Sequence, residues 1–482
     1  MRDAEGGLTE SDLRQAEQVA AKSTRFKKEL GLSDLVLTQI LFIIGLPWIG
    51  VAAKQGPSHV VLWLLAMALF YLPSAVVVTY LNRLMPLEGG LYQWAKLGFN
   101  PLVGFLVAWN LWLFAILNSS EIGLQVTQYI GYLVGPRAEA LIQAPWFIGL
   151  VNAVLIGGLV ALTTVGLGAG KWLHKASGVL MLGTFAAIIV LPWWNRARGT
   201  LAHYDPLPLE APVLSLMTLN LLGKMGFGAL GGFEYVAIHA GESRDPARSI
   251  ARSVLFAAPI IAAMFILGTS AVLALVPHDR IDLIAPIPQV LSLGFAPLGV
   301  PAVAPLVIIA LLCIRLGQSS VMFGGNTRLP MVAGWDGLLP EWFTRLHARY
   351  RTPVNSILFV GATTLALSIV GLIGVGKQEA FQLLWVSSGV FYALTYVVLF
   401  AIPLFGLRDA KPRPPRWLQA AAWSGLAMTL LYVALAIVPL VEVASRALFA
   451  VKISGLIGLT NAIGVAIFLA AARRERRRAA AS

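Results

Sequence analysis

The sequence alternates long apolar runs with short polar connections, and this alternation limits the fold more than any other feature. A helix needs roughly 20 apolar residues to cross a bilayer. Runs of that length lie near 34–55, 60–82, 100–131, 145–166, 172–193, 213–241, 253–277, 302–333, 354–375, 379–406, 417–440 and 449–472. Only 12% of the 482 residues are charged, against about 25% in soluble domains. A backbone in lipid must satisfy its own polar groups, and runs this long do so as helices. The chain therefore reads as an all-α polytopic membrane protein with about 12 transmembrane helices.

The net charge of +13 sits in the connections. One set holds Arg25, Lys27, Lys28, Lys171, Lys175, Arg244, Arg248, Arg252, Arg345, Arg349, Arg351, Arg408, Lys411, Arg413 and Arg416, and the basic run Arg473–Arg478. The alternate set is thin: Lys54, Arg137, Arg196, Arg198, Arg280 and Lys377. The positive-inside rule places the rich side in the cytoplasm, with both termini, in a multi-pass cell-membrane protein. The basic residues are topology determinants with membrane lipids as neighbours, and no nucleic-acid partner is expected. Residues 1–30 lack the apolar core of a cleaved signal peptide and are expected to stay on the chain. Cys313 is the single cysteine and falls in an apolar run, so it is expected to be buried there without a disulfide. No metal spacing, phosphate loop, HExxH or nucleophile elbow is present. No enzyme activity, catalytic residue, metal or cofactor is expected.

Two runs are interrupted. In IIGLPWIG, residues 43–50, Pro47 removes a donor two residues after Gly45. In span six, Gly223, Gly226, Gly228, Gly231 and Gly232 precede Glu234. A break inside lipid is tolerated only where protein buries it or water and ligand satisfy it. Breaks in the first and sixth spans correspond if the first ten spans form two five-span halves, and such pairs mark transporter sites at the bilayer midplane. Exposed N–H groups there suit a carboxylate and exposed carbonyls suit an ammonium. Close packing of small residues is the competing account of the glycines.

Three segments carry a resemblance: EGGLYQWAKLGFNPLVGFLVAW (88–109), GGFEYVAIHAGESRDPARSI (231–250) and NTRLPMVAGWDGLLPEWFTRLHARYRTP (326–353). Together they resemble the amino acid–polyamine–organocation superfamily of amino-acid permeases, over roughly residues 30–405. The resemblance implies a 5+5 inverted repeat (LeuT-like) with discontinuous helices 1 and 6 and two extra C-terminal helices. The expected divisions are 1–30 as a cytoplasmic segment, 31–194 and 195–406 as the five-helix repeats, 407–472 as the additional helices and 473–482 as a basic tail. Many relatives carry Gly-Ser-Gly in the first break. Gly45-Leu46-Pro47 is more similar to glutamate/GABA exchangers and polyamine-uptake members.

The expected substrate site comprises Gly45, Leu46, Pro47, Trp48, Asn118, Ser119, Phe227, Gly228, Gly231, Gly232, Gln318 and Ser319. Glu234 resembles an acid that couples protonation to substrate release in some relatives; it also suits the start of a half-helix electrostatically. Glu121 either reads a substrate amine or pairs with Lys224 or Arg315, and the ion pair is favoured. Gln318, Ser319 and Ser320 serve either the site or helix–helix contacts. Phe227 is a gate or a packed aromatic, and His239 reads as a satisfied core histidine before a proton relay. Trp48, Trp109 and Trp112 read mostly as packing or interface residues. Span five carries no mid-span lysine; Lys175 lies before it, and Ser177 and Thr184 are weak grounds for a sodium site. The expected function is secondary active transport of amino acids by alternating access, as proton symporter or exchanger. The substrate carboxylate would lie near 45–50 and its amino group near 228–232. A polyamine or organic-cation transporter, or a non-transporting amino-acid sensor, is the alternative.

Overall fold

A computed structural model describes residues 31–481 except 86, 88, 236–245, 336, 372–375, 408–412, 441–442 and 444. Every regular element among them is helical. The first span is split into α1 (Leu32–Ile43) and α2 (Leu46–Ala53), bent by 47°. It is followed by α3 (Gly56–Leu84), a short α4 (Leu91–Gly98), α5 (Pro101–Val134), α6 (Pro145–Val165) and α7 (Leu167–Ala197). The chain continues through α8 (Leu216–Gly223), α9 (Pro246–Leu275), α10 (Pro286–Phe295), α11 (Val303–Asn326) and α12 (Leu329–Trp335). It ends with α13 (Val354–Val370), α14 (Lys377–Ala401), α15 (Arg416–Leu435) and α16 (Arg446–Ala481). Among the described residues, nine single helices and the bent α1–α2 pair are long and apolar enough to cross a membrane, and α13 is a shorter apolar helix.

The packing is that of a membrane bundle. Large apolar side chains such as Trp172, Leu255, Leu306 and Leu459 face outward, while Gln39, Asn82, Gln125, Asn152 and Thr364 are buried. Hydrogen bonding explains why polar groups can sit inside: unpaired, each would be costly away from water. Asn152 of α6, for example, accepts the Gly123 N–H at 2.7 Å, where α5 changes direction at Glu121. Gly123 sits at that joint, where a Cβ would stand 2.5 Å from the Asn152 side chain. Helix α14 packs along α5, α7 along α11 and α1 against α9. Cys313 corrects the sequence reading, since its side chain is exposed on the outer surface of α11. Placement in an apolar run fixes membrane depth, not which face of the helix a residue occupies.

Candidate functional site

In span one a helix end is followed at once by a helix start. Gly45, at φ −83° and ψ 110°, caps α2, and Pro47 lies in its first turn, where a missing N–H removes no helix bond. Carbonyls at the end of α1 are left over. Gln318 of α11 takes two of them, its amide donating to Leu41 O at 2.9 Å and to Ile44 O at 2.6 Å.

Span six breaks differently. Helix α8 widens into a π-turn over Lys224–Gly228, and the chain then turns through Gly232 at φ +144°. The Gly232 N–H donates to the Tyr396 hydroxyl at 2.7 Å. Both Tyr396 and Tyr392 of α14 donate to the Glu234 carboxylate. The next residue, Tyr235, stacks on Phe42 of α1 at 4.0 Å and donates to Met322 O of α11 at 2.7 Å. The two breaks touch: a Cβ on Gly228 would stand 2.5 Å from the Trp48 indole, and one on Gly232 would stand 2.7 Å from Ile43 and Phe42.

Between the breaks lies a cavity of about 90 Å³. Gly45, Leu46, Pro47 and Trp48 line it from span one, and Phe227, Gly228 and Gly231 from span six. Asn118 and Glu121 of α5 and Gln318 of α11 complete the predicted part of the wall. Ser119, Ser319, Gly232 and Glu234 are buried close by but do not line it. Trp385, Ser388, Gly389 and Tyr392 of α14 do; the run of small polar residues at 387–389 was the available signal. Phe227 is both wall and packing, with Tyr392, Tyr396, Tyr432 and Phe70 rings at 4.8–5.6 Å. Trp48 likewise reaches the cavity and meets Trp385 edge-on at 4.9 Å.

The charges in the wall are matched. Arg315 is ion-paired to Glu121, with both side chains more than nine-tenths buried. Lys224, the other candidate partner, donates to Asn220 one turn back on its own helix. A buried carboxylate and guanidinium are tolerable because each has the other.

Polar contacts bracket the cavity along the chain. Toward one end, Gln128 and Tyr132 of α5 donate to Asp282 at 3.1 and 3.0 Å, and Lys377 donates to Gln128 at 2.9 Å. Burial pushes the Lys377 ammonium down to about 8, opposed by the nearby Asp282. Toward the other end, Lys175 pairs with Asp34 of α1 at 3.0 Å and Gln39 donates to Ser253 at 3.0 Å. Ser177 donates to the Cys313 carbonyl, Ser320 meets His174 at 3.1 Å, and Thr184 is buried. His239 lies outside the described residues. Among the described residues no cluster of His, Cys, Asp and Glu is arranged to hold a metal.

A polytopic helical bundle in which a bent first span and the interrupted end of α8 meet at a small cavity is the anatomy of a membrane transporter. Residues 30–459 match the model of the amino acid permease family, and the chain belongs to that family. It is similar to an uncharacterized transporter of Legionella pneumophila, at 25% identity over 400 residues, 81% of this chain and 83% of the relative. It resembles the branched-chain amino acid permease BcaP of Bacillus subtilis at 24% identity, covering 81% and 83%. The probable agmatine/putrescine antiporter AguD of Lactococcus lactis is 19% identical, covering 83% and 84%. The protein is accordingly a secondary transporter embedded in the membrane, and its relatives bear the names of transporters.

Proposed function

We propose that the protein carries net-neutral amino acids by alternating access. The observation behind this reading is the Glu121–Arg315 ion pair, in which the two charges of the cavity wall offset each other. An anionic substrate would call for Arg315 to be free. A polyamine would call for free carboxylates, but Glu121 is offset by Arg315, and Glu234, which does not line the cavity, accepts from two tyrosine hydroxyls. A zwitterion needs neither. Its carboxylate fits the N-terminal end of α2 at Gly45–Trp48, where helix N–H groups and dipole favour an anion. Its ammonium fits the backbone at 228–232, and Trp48, Phe227, Trp385 and Tyr392 offer apolar surface to the side chain.

In this reading residues 31–194 and 195–406 are the two repeats, both termini are cytoplasmic, and the bracketing clusters open in turn. Glu234 is the coupling residue: through Tyr396 it holds the span-six break, so a proton on it would act directly on that break. Likeness to a named antiporter supports exchange as the transport mode, with proton symport as the other.

The test is uptake of labelled leucine, alanine, glutamate, arginine and putrescine into proteoliposomes, empty or preloaded, with and without a pH gradient. Saturable uptake of the neutral amino acids is expected, with little or none of putrescine. Uptake of putrescine or glutamate in preference to the neutral compounds would overturn the reading. Uptake confined to preloaded vesicles would fix exchange; gradient-driven uptake into empty ones would fix symport.

A further inference from the structure

One wall of the cavity between the breaks is a stripe along α5. Phe114, Asn118, Glu121 and Gln125 all line it, and steps of three and four residues keep them on one helix face. Glu121 is offset by Arg315. The carboxamides of Asn118 and Gln125 flank that pair, about 10 Å apart along the helix. One turn beyond Gln125, Gln128 donates to Asp282, so Gln125 marks that end of the cavity.

Gln125 is the member of the stripe that the fold does not use. It is only 2% exposed, yet its side-chain amide has no hydrogen-bond partner among the described residues. Nor does it belong to the polar groups sealed off inside the protein, so the amide borders the cavity that Gln125 lines. Buried amides that tie helices together behave otherwise. Gln39 donates to Ser253, Asn110 to Asn461 and Asn195 to Gly294 O, each on another helix. A carboxamide withdrawn from bulk water without a partner is costly, and a hydrogen-bonding group that enters with the substrate would offset that cost. The aromatic walls at Trp48, Trp385 and Tyr392 suit the flanks of a substrate side chain, and Gln125 suits its tip.

We propose that Gln125 reads the side chain of the transported amino acid, exchanging hydrogen bonds with a carboxamide or hydroxyl there. Among neutral amino acids, those with such side chains are the preferred substrates. This rests on the zwitterion reading above, in which the two breaks hold the carboxylate and the ammonium.

The test compares uptake of asparagine with leucine, and of threonine with valine, in proteoliposomes. Each pair is close in size and differs in hydrogen-bonding groups. The wild-type chain should favour asparagine and threonine in kcat/KM by roughly ten- to a hundredfold. Gln125→Leu should erase that preference, acting mainly through KM. Gln125→Asn, which keeps the amide, should retain part of it. The melting temperature of Gln125→Leu should match or exceed that of wild type, because no protein hydrogen bond is lost. Equal uptake within each pair by the wild-type chain, or an unchanged preference in Gln125→Leu, would overturn the proposal and leave the zwitterion reading standing. A large drop in the melting temperature of Gln125→Leu would also overturn it, by making Gln125 a structural residue. Failure of the wild-type chain to carry any neutral amino acid would sink both.

Discussion

The chain interrupts two membrane helices and closes the two breaks with different chemistry. At span one the groups left over are carbonyls, and one neutral amide from span eight, Gln318, serves two of them. At span six the group left over is the Gly232 N–H, and the closure passes through the Tyr396 hydroxyl to the carboxylate of Glu234, shared with Tyr392. The neutral closure has no titratable member. The other ties the break to span ten through a carboxyl group, so only the span-six closure has a titratable member. Both closures obey the same demand, that backbone groups away from water find a partner.

The largest effect should come from the charged closure. Glu234→Ala strands two buried tyrosine hydroxyls, and an unsatisfied buried group costs about 1–3 kcal/mol. The combined loss of stability should be roughly 2–5 kcal/mol, read by thermal or denaturant unfolding in nanodiscs, with uptake lost. Glu234→Gln retains one acceptor oxygen and should fall between the variant and wild type. An alanine variant that unfolds like wild type would mean that the clamp contributes nothing and that the two breaks do not differ in this way.

Gln318→Leu probes the neutral closure. The Leu41 and Ile44 carbonyls lose a shared donor, for an expected loss of about 1–3 kcal/mol. Carbonyls tolerate this better than hydroxyls locked on a carboxylate, because water entering the cavity can replace the amide. Uptake should survive with a raised KM, since Gln318 also lines the cavity. If Gln318→Leu proves more damaging than Glu234→Ala, the ranking of the two closures is reversed.

The positions of both breaks were legible because the glycines and the proline interrupt corresponding spans, the first and the sixth, which small-residue packing alone would not require. Their closures were not. Gln318 is 277 residues from Leu41 and Tyr392 is 158 from Glu234, and only the fold brings such pairs together. Gln318 stood out as a polar residue in span eight, but its choice between substrate and backbone is a matter of geometry, and it serves both the wall and the break. Tyr392 and Tyr396 gave no signal, since a tyrosine in an apolar span reads as packing. The pairing of Glu121 was narrowed to two cations by their matching depth in the spans; Arg315 has it, and Lys224 reaches Asn220 on its own helix instead. Cys313 was misplaced for the same reason, as its run gives depth but not direction. Helices α4 and α10 went unread because each is too short to register as a span.

The smallest and most discriminating test concerns the glycines themselves. Gly45 has φ −83°, a conformation open to any residue, and its substituent would first meet the Trp48 indole, at 2.5 Å. An indole can pivot. Gly232 has φ +144°, where a side chain is strained wherever it points, and its substituent would also meet Ile43 and Phe42 of the opposite break. Gly232→Ala should therefore lower stability by about 1–3 kcal/mol. Gly45→Ala should cost less than about 1 kcal/mol and act on uptake instead, raising KM as Trp48 is pushed toward the cavity. Paired melting curves with uptake titrations separate the two. Equal stability losses would mean that the span-one break is also held by backbone strain, and its neutral closure would then be secondary to the turn it covers.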